Sequence, residues 1–492
     1  MHVVEGVGGT FVRKVKDLVK KKRVLLISPP KGLVAGEPER PKFQTHPLGL
    51  LYVAGVLDGN GHSVRIYDAY SFGNTLDEIK TEVEDFEPHV VGITSMTILA
   101  KDAYLIARTV KEINDAITVV MGGPHVSALP EEALRTGCVD VAVIGEGEHT
   151  MLEICEGEGR GFAWIKGVAY RCGERIVRTP ARVKTEALDS IPFPAYHLLP
   201  SMDSYNPPPH WGKRGGFASM LTCRGCPYDC TFCSVTRDWG RKYRFRSAGN
   251  VLDELEMLHD GYGVRYVSFR DSVFTLHKRR VIEICRGMIE RRIRIVWNCN
   301  GRVNEVDPEM LSWMKRAGCK AIQYGIESGN EEILSRFKGL EKDTIRRAIG
   351  MTSRAGIEAH GYFMFGLPGE TKETMHDTIE FAKSLDLHSA GFTSVTPFPG
   401  SALWDYCIEN NLILTTDWGE YDLKGLPPAR HANLTSAEIL DAQKAAFRQF
   451  YLRPKVIFRH LKDIRSMNDM TNYLYEALIN LRKNKKVKRR AH

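Results

Sequence analysis

From Arg23 to about residue 155 the chain alternates short, almost wholly apolar runs with longer stretches whose apolar residues recur at helical spacing. The runs Val24–Ser28, Val64–Asp68, Val90–Thr94, Ile117–Gly122 and Val141–Gly145 lack the polar alternation of half-solvated strands, so they predict strands buried on both faces. Between them Leu50–Asp58, Leu76–Phe86 and Ala100–Ile113 predict amphipathic helices. Strand and helix in alternation make a parallel sheet with helices on both faces, here a Rossmann-like, doubly wound α/β domain over 23–160. A hairpin at Gly167–Arg178 and the run Pro207-Pro208-Pro209 follow, and clustered prolines stiffen a connection, so 161–212 reads as a linker wrapping one domain onto the next.

The alternation then resumes. Phe217–Leu221, Arg265–Arg270, Arg294–Asn298, Ala321–Ile326, His360–Phe365 and Gly391–Thr396 predict six strands, separated by helical patterns such as Val251–His259, Arg279–Arg291, Glu309–Ala317, Thr344–Ala355 and Lys372–Leu385. Six strand–helix units are too few for the eightfold closed barrel, so an open six-stranded partial barrel is expected over 213–430. Ser436–Tyr451 and the stretch after Pro454 predict a helical C-terminal region over 431–480.

A chain of 492 residues exceeds one ordinary core, in keeping with two domains plus appendages. No apolar run has the length of a membrane span and no signal-peptide pattern opens the chain, so a cytoplasmic protein is expected. The net charge of +8 is concentrated at a basic segment over 1–22 and a tail over 481–492, where Arg482, Lys483, Lys485, Lys486, Lys488, Arg489 and Arg490 cluster. Such ends are solvated or make peripheral contact with the inner face of a membrane. A nucleic-acid binder needs its basic stripe on the folded body, so that partner is not expected.

Chemistry is concentrated in Thr222–Ser234. Four of the eleven cysteines lie there, Cys223, Cys226, Cys230 and Cys233, directly after the first barrel strand, where parallel barrels carry their active sites. Cys226, Cys230 and Cys233 have CxxxCxxC spacing, and three thiolates on one loop can hold three irons of a four-iron cluster. Cys223-x2-Cys226 and Cys230-x2-Cys233 also make two CxxC pairs, a zinc pattern, although structural zinc sites separate their pairs by more than three residues. A fourth thiolate would close the open iron, so Cys223 is expected to have no cluster role.

CxxxCxxC after the first strand of an open barrel resembles the radical S-adenosylmethionine superfamily, and further family-like motifs end the later strands: Phe269–Ser272, Asn298–Arg302, Gly325–Gly329, Met364–Glu370 and Pro397–Gly400. Ser272 departs from the paired aspartates common in relatives. The resemblance implies a 4Fe-4S cluster on Cys226, Cys230 and Cys233, with S-adenosylmethionine chelating the open iron and contacted by Phe232, Asp271, Arg302, Glu327, Met364 and Gly366. It assigns the reaction to a 5′-deoxyadenosyl radical and no protein residue to catalysis, with flavodoxin or ferredoxin as electron donor.

In a doubly wound domain the ligand lies beyond the carboxyl ends of the strands. Those ends carry small residues here and no GxGxxG, which disfavours a dinucleotide. With His46–Tyr52 and Gly122–Pro130 they resemble the cobalamin-binding domain fused to many radical S-adenosylmethionine enzymes, which implies cobalamin contacts from Pro47, Gly49, Ser95, Thr97, Gly122, Gly123, Gly145, Glu146, Gly147 and Glu148. Asp386-x-His388-x2-Gly391 matches a cobalt-ligating signature but is misplaced before the sixth barrel strand, and His125 reads as a loop residue. Phe450–Pro454 resembles the C-terminal region of the subgroup typified by anaerobic magnesium-protoporphyrin ester cyclase. The expected reaction is methylation of an unactivated carbon on a small, lipid-like or tetrapyrrole-like molecule; oxidative cyclisation on the same scaffold is the alternative, and a zinc-stapled nucleic-acid binder the remote one.

Overall fold

The computed structural model describes residues 20–157, 159–208, 216–464 and 470–471, so the basic tail and all but residues 20–22 of the basic N-terminal segment lie outside the described residues. Strands β1 (Arg23–Ile27), β2 (Ser63–Tyr67), β3 (Val90–Thr94), β4 (Thr118–Gly122), β5 (Val141–Val143), β6 (Val168–Cys172) and β7 (Arg175–Arg178) form one sheet in the order β2-β1-β3-β4-β5-β6-β7. The first five are parallel and have the flavodoxin-like order 2-1-3-4-5, with its switch point between β1 and β3. The hairpin expected in the linker is β6–β7, which extends this sheet as its antiparallel edge.

Alternation along the strands divides the interior into two cores. Leu25, Ile27, Val91, Ile93, Val119 and Met121 meet Ile79 and Val83 of one helix (Leu76–Phe86) and Ile106 and Val110 of another (Ala100–Ile113). The first of these helices starts at Thr75, whose Oγ1 accepts from Glu78 N–H (3.2 Å) while Glu78 Oε2 accepts from Thr75 N–H (2.7 Å). Val24, Leu26, Val90 and Val120 point the other way, towards helix α1 (Leu48–Gly59), and that core runs on through Ala195, Tyr196 and Tyr205 into the second domain. The second half of the linker, Leu188 to Tyr205, is therefore wedged between the two domains.

The second sheet holds β8 (Phe217–Met220), β11 (Tyr266–Phe269), β12 (Val296–Gly301), β13 (Cys319–Glu327), β14 (Glu358–Phe365) and β15 (Ser389–Ser394), all parallel, in the order β15-β14-β13-β12-β11-β8. A two-stranded ribbon of β9 (Cys223–Arg224) and β10 (Arg244–Phe245) stands beside it. The six strands curve as the expected open barrel. Their outward residues, such as Val267, Trp297, Ile322 and Phe363, feed the core, whereas Ser268, Asn298, Gln323 and His360 are buried polar side chains on the inner face. Ser268 Oγ (2.9 Å) and Gln323 Nε2 (3.2 Å) both donate to Asn298 Oδ1. This polar interior explains why β12 starts two residues and ends three residues later than the apolar run Arg294–Asn298 suggested: its last four residues, Asn298-Cys299-Asn300-Gly301, have the composition of a loop.

Side chains cover much of each open edge, and at β15 Ser394 N–H also donates to the Leu423 carbonyl (2.9 Å). At β15, Gln443 Nε2 donates to Phe392 O (2.8 Å), Tyr451 OH donates to Ala390 O (2.9 Å) and Ala390 N–H donates to Tyr451 OH (3.1 Å), all from helix α2 (Ser436–Tyr451). At β8, Tyr196 OH donates to Ser219 O (2.9 Å) and Ser219 N–H donates to His46 Nδ1 (3.3 Å). Among the described residues no helix is long and apolar enough to cross a membrane.

His46 accepts that hydrogen bond only when neutral, and burial pushes its imidazole from 6.5 down to about 3. The unfolded chain binds a proton that the folded one refuses across this window, so stability falls as pH drops below 6.5. Replacing His46 by Asn keeps an acceptor and removes the titration. Urea unfolding should then show about 1 kcal/mol less stability lost between about pH 7 and pH 5.5 than in the unmodified protein. An unchanged loss contradicts the role given to His46.

Candidate functional site

The cysteine loop begins where β8 ends, and Asp271, at the end of the neighbouring β11, holds its root. Asp271 Oδ1 accepts from Thr222 N–H (2.6 Å) and Cys223 N–H (3.0 Å), and Oδ2 from Thr222 Oγ1. Burial pushes its carboxyl above the usual range, against the pull of Arg280 and these hydrogen bonds. Arg280 Nη2 in turn donates to Thr222 O (3.0 Å). Gly225 has φ +88° and lies against the Lys242 carbonyl, leaving no room for a side chain. Cys226 N–H donates to Gly240 O (3.1 Å) and Cys233 N–H to Cys230 O (3.0 Å).

Cys226, Cys230 and Cys233 share one half-buried neighbourhood. Burial first, and then its neighbouring thiols, raise the Cys233 thiol to about 11; the same causes raise Cys226, while Arg302 and Lys338 pull the other way. Cys226 and Cys233, two thiols that resist ionising, lie with Cys230 beside two cations and fit a positively charged iron core as common partner. Cys223 stands apart: it is buried, and burial and Asp271 raise its thiol well above the ordinary value. Among the described residues no three His, Cys, Asp or Glu side chains converge as a single ion requires.

The structure brings four of the six residues expected at S-adenosylmethionine around this loop, and Gly366 follows two residues after one of them, Met364. Arg302 Nη1 lies 3.9 Å from Cys230 Sγ, its guanidinium stacks 3.7 Å from the Tyr228 ring centroid, and Nη2 reaches Lys338 O. Glu327 lies at a register shift between β13 and β14, with φ +71°, unusual for a residue with a side chain. Its Oε1 accepts from Lys338 Nζ (2.7 Å), and Lys338 also faces Phe232 at 5.8 Å. Phe232 and Met364 pack in one apolar cluster with Phe337 and Leu367. Gly366 N–H donates to Glu370 Oε2 (2.6 Å), a carboxyl that burial raises to about 7. Asp271, the sixth, lies beneath the loop as its anchor. Lys338 was not foreseen, because a lysine ending an amphipathic helix reads as a dipole partner.

At the ligand face of the first sheet, Gly49 and Gly145 have no atom within 4 Å of where a Cβ would stand, so the backbone there is bare. Gly123 has φ +97°, and a Cβ on it would lie 2.8 Å from Ser95 O. Ser95 and Thr97 are buried at the end of β3, beside the switch point, while Pro47 precedes α1 and Gly122 and Gly147 lie at the ends of β4 and β5. A cradle of small residues fits a large, flat ligand. The carboxylates of Glu146 and Glu148, expected on the same side, are committed to Arg224 and Arg244. His125 is buried against Tyr104 (3.2 Å), Glu132 (3.6 Å) and Trp418. His388 precedes β15, at the end of the barrel opposite the cysteine loop, so its cobalt-like signature is coincidental.

Residues 220–382 match the model of the radical SAM superfamily, and residues 39–155 match that of the B12 binding domain. An uncharacterized methyltransferase of Pyrococcus horikoshii is 38% identical over 85% of this chain and 90% of its own length. The anaerobic magnesium-protoporphyrin IX monomethyl ester cyclase of Rubrivivax gelatinosus is 28% identical over 82% of this chain and 74% of its own. The radical S-adenosylmethionine methyltransferase TsrM from Kitasatospora setae, solved with cobalamin and a 4Fe-4S cluster bound, superposes with a TM-score of 0.67 at 22% identity, covering 88% of this chain and 85% of that one.

Replacing Cys226, Cys230 or Cys233 by Ala should strip most iron and sulfide from anoxically reconstituted protein, whereas Cys223→Ala should retain them. Loss of the cluster in Cys223→Ala contradicts the geometry above. Asp271→Ala removes a buried charge from Arg280 and three donors, and should cost about 3 kcal/mol in urea unfolding.

Proposed function

The chain belongs to the radical S-adenosylmethionine enzymes that carry an N-terminal B12-binding domain, and from that premise we propose that it methylates an unactivated carbon of a lipid-like or tetrapyrrole-like molecule. Its cofactors are a 4Fe-4S cluster, S-adenosylmethionine and cobalamin. When bound, these supply a 5′-deoxyadenosyl radical for hydrogen abstraction and a methyl group for the carbon so exposed. The observation that carries the proposal is that the glycine-edged ligand face of the first domain and the cysteine loop of the barrel are bridged by direct ion pairs, so both cofactors would face one mouth.

The chain's own residues have four tasks. Cys226, Cys230 and Cys233 hold iron. Arg302 and Lys338 supply positive charge beside the thiolates, and Glu327 is held by Lys338 at the rim. Phe232, Met364, Phe337 and Leu367 keep one side of the site apolar, which excludes water from a reactive radical. Pro47, Gly49, Ser95, Thr97, Gly122, Gly123, Gly145 and Gly147 offer backbone and small side chains to cobalamin.

The cluster needs an electron donor of the flavodoxin or ferredoxin kind, and the surface beside the cysteine loop carries exposed ion pairs, Arg241 with Asp229 (2.6 Å) and Lys242 with Glu186 (2.6 Å). Peripheral membrane contact is supported by the helix Pro454–Asp463, which exposes Ile457, Phe458 and Leu461 alongside Lys455 and Lys462. The cyclase relative favours a second reading, oxidative cyclisation without methyl transfer.

Anaerobic turnover with labelled S-adenosylmethionine, a reductant and lipid or pigment fractions separates them. Methylation should yield one S-adenosylhomocysteine and one 5′-deoxyadenosine for each methyl gained. Product with 5′-deoxyadenosine but no S-adenosylhomocysteine establishes cyclisation, and absence of S-adenosylmethionine cleavage sinks both.

A further inference from the structure

We infer that Arg224 is a positioning residue: through Glu146 and Glu148 it pins the root of the cysteine loop to the ligand face of the first domain and so sets the separation of cluster and cobalamin. The consequence for cobalamin rests on the function proposed above; the geometry does not.

Arg224 lies two residues before Cys226 on β9 and is 4% exposed. Its Nη2 donates to Glu148 Oε1, and Nη1 lies 3.5 Å from Glu146 Oε2. The other oxygen of Glu146 accepts from Arg244 Nη2 at 2.5 Å, and Arg244 stands opposite Arg224 in the β9–β10 ribbon. Burial raises the Glu146 carboxyl, but Arg244 and Arg224 outweigh it and hold it below its ordinary value. Arg244 also donates to Thr185 O (2.7 Å) and Trp239 O (2.9 Å), which ties in the linker and the short helix after the cysteines. The Arg224 guanidinium is sandwiched, 5.3 Å from the Tyr52 ring of α1 and 4.8 Å from the Trp239 ring.

Two arginines from the cluster-bearing ribbon therefore meet two glutamates from the loop after β5, with charge balanced and water excluded. Sliding the ribbon past β5 would part buried charges, which is strongly opposed. Apolar contact between the domains is non-directional and tolerates small slips. A planar fork against carboxylates does not. Gly145 and Gly147 flank Glu146, so the backbone offered to cobalamin is the backbone that Arg224 fixes.

The test uses anoxic holoenzyme carrying the cluster and cobalamin in its paramagnetic cobalt(II) state. In the unmodified protein, reducing the cluster should accelerate relaxation of the cobalt spin through its short distance to the iron. In Arg224→Gln, at matched iron and cobalt content, that acceleration should fall to about half or less, with partial recovery in Arg224→Lys. Acceleration equal to that of the unmodified protein in Arg224→Gln, or in Glu148→Gln should Arg224→Gln fail to fold, overturns the inference. If the unmodified protein retains no cobalamin, the function proposed above fails, and the strut is decided by urea unfolding of Arg224→Gln, Glu148→Gln and the double variant. A double variant less destabilised than the sum of the two singles supports the pairing; additive losses overturn it.

Discussion

A parallel sheet of six strands that stops short of closing leaves two rows of backbone groups without partners, and much of the molecule follows from covering them. At β15 the C-terminal helix α2 does so with Gln443 and Tyr451. At β8 the covering comes from before the barrel: His46 and Tyr196 take Ser219, and Tyr52 OH donates to Leu221 O (3.1 Å). Since β8 also leads into the cysteine loop, the edge that most needs covering is the one beside the chemistry. Docking the first domain there satisfies the backbone and brings a second ligand face to the same mouth.

Charge completes what the edge begins. Arg224, Arg244, Arg246 and Arg280 are all buried around residues 221–224. Arg246 donates to Leu221 O (3.1 Å) and pairs with the fully buried Glu254, while Arg280 takes Thr222 O (3.0 Å). Arginine suits this work because one planar fork serves several acceptors at once and its faces stack on aromatic rings. Buried ion pairs are weak evidence of stability, because desolvation opposes them, but they are intolerant of displacement. A cofactor loop profits from that intolerance.

How legible this was in the sequence depends on the face a strand turns inward. Val90–Thr94 was readable to the residue because both its faces are apolar. Barrel strands were found but misframed, as β12 and β15 were, because polar residues such as Asn298, Asn300 and Ser389 line the interior and read as loop. Cys226, Cys230 and Cys233 could be proposed from sequence because the signal lies in their spacing along one loop. Glu146 and Glu148 were placed at the correct strand end, yet their arginine partners lie 98 and 76 residues away, a pairing no local pattern carries. The same is true of Lys338 with Glu327 and of the hairpin that joined the sheet.

The cysteine loop itself is short and polar, with no core of its own, and such a segment would ordinarily be mobile. Here it is held from three independent directions. Asp271 and Arg280 grip its root from the barrel, Arg224 ties it to the first domain, and Arg302 braces Tyr228 and Cys230 from β12 while Tyr228 OH reaches Glu305. Three anchors that do not share a side chain define a position in space, whereas any two leave an axis of rotation. Radical chemistry rewards that redundancy, because a reactive carbon held off line is quenched before it reacts, and orientation supplies a large share of the rate. Rigidity at this loop is therefore built from buried polar groups, and the strain at Glu327 is tolerable only because so much around it is already fixed.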